Sequence, residues 1–298
     1  MKTIQALLYV LFLAIFPSSM SAVMAQDQNS TLDELVDSIP HNEKISQAFY
    51  STRVIQSQSV EMLHKGNLDV RILHRFGQVN NGIKEFFGLD DASMRMGLDF
   101  GITDNLTIGV GRSSFRKEYD LLIKLRPVQQ QVGKKNIPFS LVLAGGTMIR
   151  TADEISLSGY KADAGDRLSY YVQLLIGRKF SNRFSLQLIQ TLLHMNYVND
   201  GIMDNTIYAL GAGARLKLTK RLALTFDYNH NFSKAETYYQ PLGIGLDIET
   251  GGHVFQLHFS NAVGMNERAY LADTTDDFWK GEIRFGFNLS RMFQTGRK

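Results

Sequence analysis

The sequence predicts an all-β fold: a transmembrane, antiparallel, up-and-down β-barrel of about twelve strands, with a short helical or extended N-terminal segment ahead of it. Three observations predict it. Apolar and polar residues alternate over runs that mostly reach ten residues or more, long enough to cross a bilayer at a tilt. Tight turns and longer polar connections succeed one another along the chain. Beyond the N-terminus, no stretch reaches the ~18 consecutive apolar residues of a membrane-spanning helix.

Residues 1–25 read as a cleaved signal peptide. Met1 and Lys2 give a positive start, 4–16 is apolar apart from Gln5, and Val23 and Ala25 are the small residues ahead of a cut before Gln26. Residues 26–63 form the expected periplasmic N-terminal segment. Thr31-Leu32-Asp33-Glu34 has capping-box spacing, so a short helix is expected at 31–37, ended by Pro40. Residues 44–63 alternate poorly, and as a thirteenth strand they would break the even parity of such barrels. They are therefore expected to enter the lumen as a plug or to lie across its periplasmic mouth.

The barrel is expected over 64–293, with strands at 67–77, 92–102, 106–113, 118–130, 138–150, 167–180, 184–195, 205–218, 221–233, 241–249, 252–262 and 278–290. A count of fourteen is the alternative. In the first strand Val70, Ile72 and Phe76 oppose Asp69, Arg71 and Arg75. The second alternates without a break: Ala92, Met94, Met96, Leu98, Phe100 and Ile102 share one face, and Ser93, Arg95, Gly97, Asp99 and Gly101 the other. Thr103-Asp104-Asn105 turns the chain, and Leu106, Ile108 and Val110 resume the apolar face. Tyr119, Leu121, Ile123 and Leu125 oppose Asp120, Leu122, Lys124 and Arg126. Farther on, Tyr208, Leu210, Ala212, Leu216 and Leu218 oppose Gly211, Gly213, Arg215 and Lys217. Leu224, Phe226, Tyr228 and Phe232 oppose Thr225, Asp227, Asn229 and Asn231, and Ile283, Phe285, Phe287 and Leu289 close the set. A soluble β-sandwich also alternates, but its strands are shorter. Aromatics near strand ends fit two interfacial girdles: Phe180 and Phe184 beside a short turn, and Phe115, Tyr119, Tyr197, Tyr208, Phe232 and Phe278 beside long loops.

The chain has 298 residues, 44% of them hydrophobic, a formal charge of +3 and no cysteine. The missing thiols exclude a disulfide scaffold, a thiolate metal site and a cysteine nucleophile. Near-neutral charge gives no electrostatic case for nucleic acid. The mean hydropathy of −0.14 looks soluble because it averages a lipid-facing and a lumen-facing set.

Thr52-Arg53-Val54-Ile55, Ser59-Val60-Glu61 and Asp69-Val70-Arg71-Ile72-Leu73-His74-Arg75-Phe76-Gly77 resemble the opening of a family of uncharacterised Gram-negative outer-membrane β-barrel proteins, a domain of unknown function. Phe86-Phe87-Gly88-Leu89-Asp90, Gly97-Leu98-Asp99-Phe100-Gly101-Ile102 and Gly109-Val110-Gly111-Arg112-Ser113-Ser114 continue the resemblance, which covers about 49–290. Its most specific blocks hold His74, Arg75, Phe76 and Gly77, then Gly109, Gly111 and Arg112. It implies an outer-membrane barrel and no known activity.

The polar faces supply the main candidate site, a lumen charge cluster of Asp69, Arg71, Arg75, Arg95, Asp99, Lys124, Arg126, Arg215 and Arg284, joined by Asp120, Lys179, Lys217, Asp227, Asp247, Glu249, Lys280 and Glu282. Facing lipid, a basic side chain would cost about 2–4 kcal/mol at the midplane, which fixes the direction of these groups. They suit a narrow channel for small, anionic solutes, or a salt-bridge network that closes the lumen with Glu61 as an extra partner.

His258 and Ser260 have the spacing of a lipid hydrolase's histidine and serine, but Phe255, Leu257 and Phe259 hold the apolar side, so the pair should face the lumen. No catalytic residue is expected beyond this weak pair. Gly109 and Gly111 open no helix, so they are read as small residues facing a crowded lumen rather than a phosphate loop. Asp153, Glu154, Asp163 and Asp166 in one long loop, and Asp273, Asp276 and Asp277 in another, are candidates for divalent cations, with a solvated acidic loop as the plainer reading. The histidines show no ligand spacing; no metal site and no cofactor are expected.

The expected role is non-enzymatic: a narrow channel or a structural barrel. The alternatives are a surface-binding protein acting through the 77–91, 151–166 and 263–277 loops, a scaffold for a periplasmic protein, and a lipid-modifying enzyme. Expected partners are outer-membrane lipid, a small solute and a periplasmic protein.

Overall fold

A computed structural model describes residues 42–152, 161, 163–198, 204–233 and 237–295. The expected signal peptide, the expected helix at 31–37, and Asp153 and Glu154 lie outside the described residues.

Strand β1 (Asn42–Lys44) precedes the wall. The wall opens with β2 (Asn67–Gln78), β3 (Ala92–Thr103), β4 (Leu106–Ser113) and β5 (Glu118–Val128). After β6 (Gln131–Gly133), which pairs with β1 outside the wall, come β7 (Ser140–Arg150), β8 (Leu168–Lys179), β9 (Phe184–Met195) and β10 (Thr206–Lys217). Strands β11 (Leu222–Asn231), β12 (Leu242–Glu249), β13 (His253–Ser260) and β14 (Arg284–Gln294) complete it. Each wall strand is antiparallel to its neighbours, and β14 pairs back onto β2, so twelve strands close a barrel with no free edge. The expected fold class and strand count are borne out.

Burial alternates along every wall strand as the pleat requires. Met96, Leu98, Val110, Ile123 and Val172 point outward as an apolar band, and Arg71, Arg75, Arg95, Lys124 and Asp227 point inward. Both chain ends of the wall, and the connections at 104–105, 129–139, 180–183, 218–221 and 250–252, lie at one end, called here the short-turn end.

Two readings need correction. The last strand starts at Arg284, not 278: Asp277 caps a single turn at Phe278–Lys280, and Gly281, at φ 80°, reverses the chain before pairing resumes. Lys280 is therefore exposed outside the wall instead of facing the lumen. The connection between the expected strands at 118–130 and 138–150 is more than a turn, since it carries β6 and its pairing with β1.

The lumen is filled from both ends. Residues 48–60 run inward from the short-turn end and are buried apart from half-buried Tyr50. From the opposite end the 261–276 connection folds into the barrel and carries helix α1 (Glu267–Ala272), every residue of which is buried. Asn266 caps α1 by accepting from the Ala269 N–H at 2.8 Å. The 263–277 loop is consequently no exposed binding loop, because its apolar groups Met265, Tyr270 and Leu271 fill barrel space that solvent would otherwise occupy.

Candidate functional site

The site is the contact between the inner wall and these two segments. Residues 52–59 form a hairpin in which Ser59 N donates to Thr52 O and Val54 N to Ser57 O, both at 2.9 Å. A buried hairpin tip leaves main-chain groups without strand partners, and each must find one. The wall supplies them. Asp227 Oδ2 accepts from three successive main-chain N–H groups, Ile55 at 3.2 Å, Gln56 at 2.9 Å and Ser57 at 2.8 Å, while its Oδ1 accepts the Ser57 hydroxyl at 2.7 Å. Three consecutive N–H groups on one oxygen form an anion-binding nest with the anion built into the wall. Gln256 Nε2 donates to Val54 O at 2.6 Å, Asn288 Nδ2 to Ile55 O at 2.8 Å, and Lys124 Nζ to Glu61 O at 2.6 Å. Gln187 bonds twice, accepting from Val60 N at 2.9 Å and donating to Gln58 O at 2.7 Å.

The hairpin's apolar side chains sit over glycines of the inner wall. A Cβ on Gly177 would lie 2.7 Å from Val60, one on Gly213 2.9 Å from Val54, and one on Gly243 3.1 Å from Ile55. Nothing larger than glycine leaves Val60 its place. Gly109 and Gly111 play the same part for wall side chains, lying against Asp99 and Arg95.

The charges form a chain of pairs across the lumen. Arg71 bonds Asp69 and Thr52. Arg95 grips Asp120 with Nε and Nη2, the two-pronged geometry that holds a guanidinium best. Arg53 donates to Glu267 at 3.3 Å, and Gln58 donates to the same oxygen at 3.0 Å, so Glu267 ties α1 to the hairpin. Higher up, Arg268 and Arg150 share Glu118 and Asp273, Arg116 reaches Asp273 at 3.1 Å, and Asn266 donates to Glu118 at 2.6 Å. Burial pushes the Asp273 carboxyl up, against the pull of Arg150 and Arg116.

Of the remaining candidates, Asp99 stands 4.0 Å from Arg71. Arg126 is half-buried at the short-turn mouth, bonded to Asn105 and to Asp104 O. Arg215 stacks on Tyr50, 4.8 Å from its ring centre. Arg284 pairs with Asp276 at 2.7 Å. His74 faces outward between Phe76 and Phe287, and Arg112 faces outward over Tyr119. Gly77 packs against Gly88.

Three sequence readings change. Glu61 accepts from Phe49 N instead of meeting an arginine. Asp273 and Asp276 are taken up by arginines, Asp163 and Asp166 bond each other's main-chain N–H, and among the described residues no three His, Asp or Glu side chains gather as metal ligands would. Ser260 Oγ donates to Gln56 Oε1 at 3.2 Å and accepts from Ala262 N, while His258 makes no bond to it. With both side chains buried behind the hairpin, the pair has neither the geometry nor the access of a lipid hydrolase. Sequence reasoning missed Glu118, Asn266, Glu267 and Arg268; the one local signal for them is Asn266 as a helix cap.

Among solved structures, the chain is similar to the NanC porin (6% identity, TM-score 0.46, 76% of this chain and 98% of that one). It is likewise similar to the KdgM porin (10%, 0.46, 76% and 99%) and to the COG4313 outer membrane channel from Pseudomonas putida F1 (12%, 0.48, 79% and 98%). A comparison with curated proteins finds no match. Residues 49–293, hairpin and α1 included, match the membrane bound beta barrel domain (DUF5777), and the chain belongs to that family.

Proposed function

We propose that this protein is a non-enzymatic outer-membrane barrel, exported by a signal peptide at 1–25, that acts as a gated channel closed at rest by its own chain. One observation carries the reading: although Phe49, Val54 and Val60 join a buried apolar cluster with the wall, the tip of the hairpin that fills the lumen is seated by hydrogen bonds between wall side chains and its main chain. A net hydrogen bond contributes only about 0.5–1.5 kcal/mol because water replaces it, so the polar part of that seat can be exchanged for water at modest cost. Both arms of the hairpin, one from β1 and one leading into β2, run to the short-turn mouth, the side the reading assigns to the periplasm. Inward Arg71, Arg75, Lys124 and Arg215 would face the opened path and favour small anionic solutes.

Planar-bilayer recording tests this. The full chain should be silent with rare openings, whereas Gly177→Leu, which puts bulk where Val60 sits, should conduct steadily while keeping the barrel's heat-dependent gel shift. A folded Gly177→Leu protein as silent as the parent overturns the channel. The second reading is then a barrel serving a periplasmic protein, favoured by a cavity of about 510 Å³ beside β1 and β6, lined by Lys44, Gln130, Arg178, Lys179 and Phe180.

A further inference from the structure

Arg53, Arg71, Arg95, Arg268 and Arg284 each have a carboxylate within ion-pair distance. Arg75, fully buried, has none among the described residues. Its Nη1 donates to His74 O and to Asn288 Oδ1, both at 3.0 Å, while Nε and Nη2 have no partner. These two N–H groups lie on one edge of the guanidinium, the edge that takes an anion between two prongs. Asp227, the carboxylate whose charge acts on Arg75, has its oxygens filled by the hairpin.

The row beside Arg75 explains where that edge can work. In the sheet Arg75 pairs with Gly286, and Gly286 with His258, so the three residues stand in line across β2, β14 and β13. Gly286 contributes no side chain, and a Cβ there would lie 2.6 Å from His258 Nε2 and 2.9 Å from Arg75 Cδ. His258 and Arg75 thus lean together over one notch. His258 is buried with Nε2, the ring nitrogen over Gly286, unpartnered, and Gln56, held to the same patch through Ser260, has an unpartnered Nε2. Unbonded buried donors are costly, and donors gathered on one patch with a guanidinium that no carboxylate touches have the chemistry of an anion site.

We propose that Arg75, His258 and Gln56 bind one small monovalent anion in the lumen wall, gripped by the Nε–Nη2 edge of Arg75 and capped by a His258 N–H. The site adds the acceptor that this patch of wall lacks and completes the seat of the hairpin. It stands whether or not the lumen conducts, since the groups that form it are in place in the closed barrel.

The test uses the refolded full chain, with bromide as the probe. Crystals soaked in bromide should show an anomalous peak within hydrogen-bond distance of Arg75 Nε and Nη2 and of His258, and formate should displace it. In detergent, the melting temperature should rise with chloride at constant ionic strength and saturate. Arg75→Gln should abolish that rise, and His258→Gln should move its midpoint to about three- to tenfold higher chloride, the worth of one hydrogen bond. The crystal experiment needs no variant, so a folding failure of Arg75→Gln leaves it intact. No bromide peak at the notch, or parent and Arg75→Gln melting temperatures that rise in parallel, overturns the site.

Discussion

Replacing Asp227 by alanine removes one carboxylate and strips the hairpin of its seat. Three main-chain N–H groups, on Ile55, Gln56 and Ser57, lose the oxygen they share, and the Ser57 hydroxyl loses the other. A buried donor left unpaired costs about 1–3 kcal/mol, and the space vacated by a carboxylate admits water, which places each loss at the low end. Four such losses come to about 4 kcal/mol against the seated state. That is about a thousandfold in the ratio of seated to unseated hairpin. Wall pairing through Asp227, where it faces Gly213 and Gly243, uses only main-chain groups and should survive. The assay is limited trypsinolysis of detergent-solubilised protein, with cleavage after Arg53 followed by mass spectrometry. Arg53 is buried in the seated hairpin, so cutting there follows the unseated population when reseating is fast. Asp227→Ala should be cut there hundreds of times faster than the parent, with an unchanged β-rich circular dichroism spectrum. Equal cutting rates would refute the assignment of Asp227 as the hairpin's anchor.

Other outcomes follow from the same contacts. Glu267→Gln takes the charge from the residue that ties α1 to the hairpin and leaves the Arg53 guanidinium buried without it, a loss of about 3 kcal/mol or more by the behaviour of broken buried pairs. It should speed cleavage after Arg53, and a cycle with Arg53→Gln, read by melting temperature because that variant has no tryptic site at 53, should show coupling; additive effects would contradict the tie. Asp273 sits above the ordinary carboxylate range because burial outweighs Arg150 and Arg116, so the seated loop binds its proton more tightly than a loop in water. That contribution is fully present below the ordinary value of about 4 and is lost as pH rises through the raised one. Amide exchange in 267–272, corrected for intrinsic rate, should therefore be slower at pH 5 than at pH 7, and the reverse order would contradict the sign. Purified protein should release no fatty acid from phospholipid vesicles; hydrolysis abolished by Ser260→Ala would restore the enzyme reading.

The wall was legible because membrane and lumen impose opposite polarities on successive residues. Met94, Met96, Leu98 against Arg95, Gly97, Asp99 states a strand's two faces outright. The last strand was misplaced where Trp279 and Ile283 prolong the alternation by chance, while the bend at Gly281 depends on a backbone angle that one glycine in twenty-five does not advertise. The direction of the inward charges could be read, but not their partners, since Arg95 meets Asp120 across two strands through side-chain reach and not through sequence spacing. The hairpin's structure was hidden for a different reason. Ser51, Thr52, Arg53, Gln56, Ser57, Gln58 and Ser59 are buried by the wall's polar groups, and a buried polar segment leaves no periodic apolar signal. Helix α1 is buried on all sides and spans six residues, too few to show a face.

The central claim is that the hairpin around Val54–Ser57 occupies the lumen of the folded barrel. The chain has no cysteine, so one introduced pair reports without interference. A Cβ on Gly243 would lie 3.6 Å from Ile55 Cβ, inside the range of about 3.5–4.5 Å that a disulfide spans. The most direct measurement is the thiol content of Ile55→Cys/Gly243→Cys, refolded and exposed to mild oxidant. The account predicts a near-complete intramolecular disulfide linking hairpin to wall, formed without loss of the barrel. Two thiols that stay free and take up a water-soluble maleimide in the folded protein would contradict it.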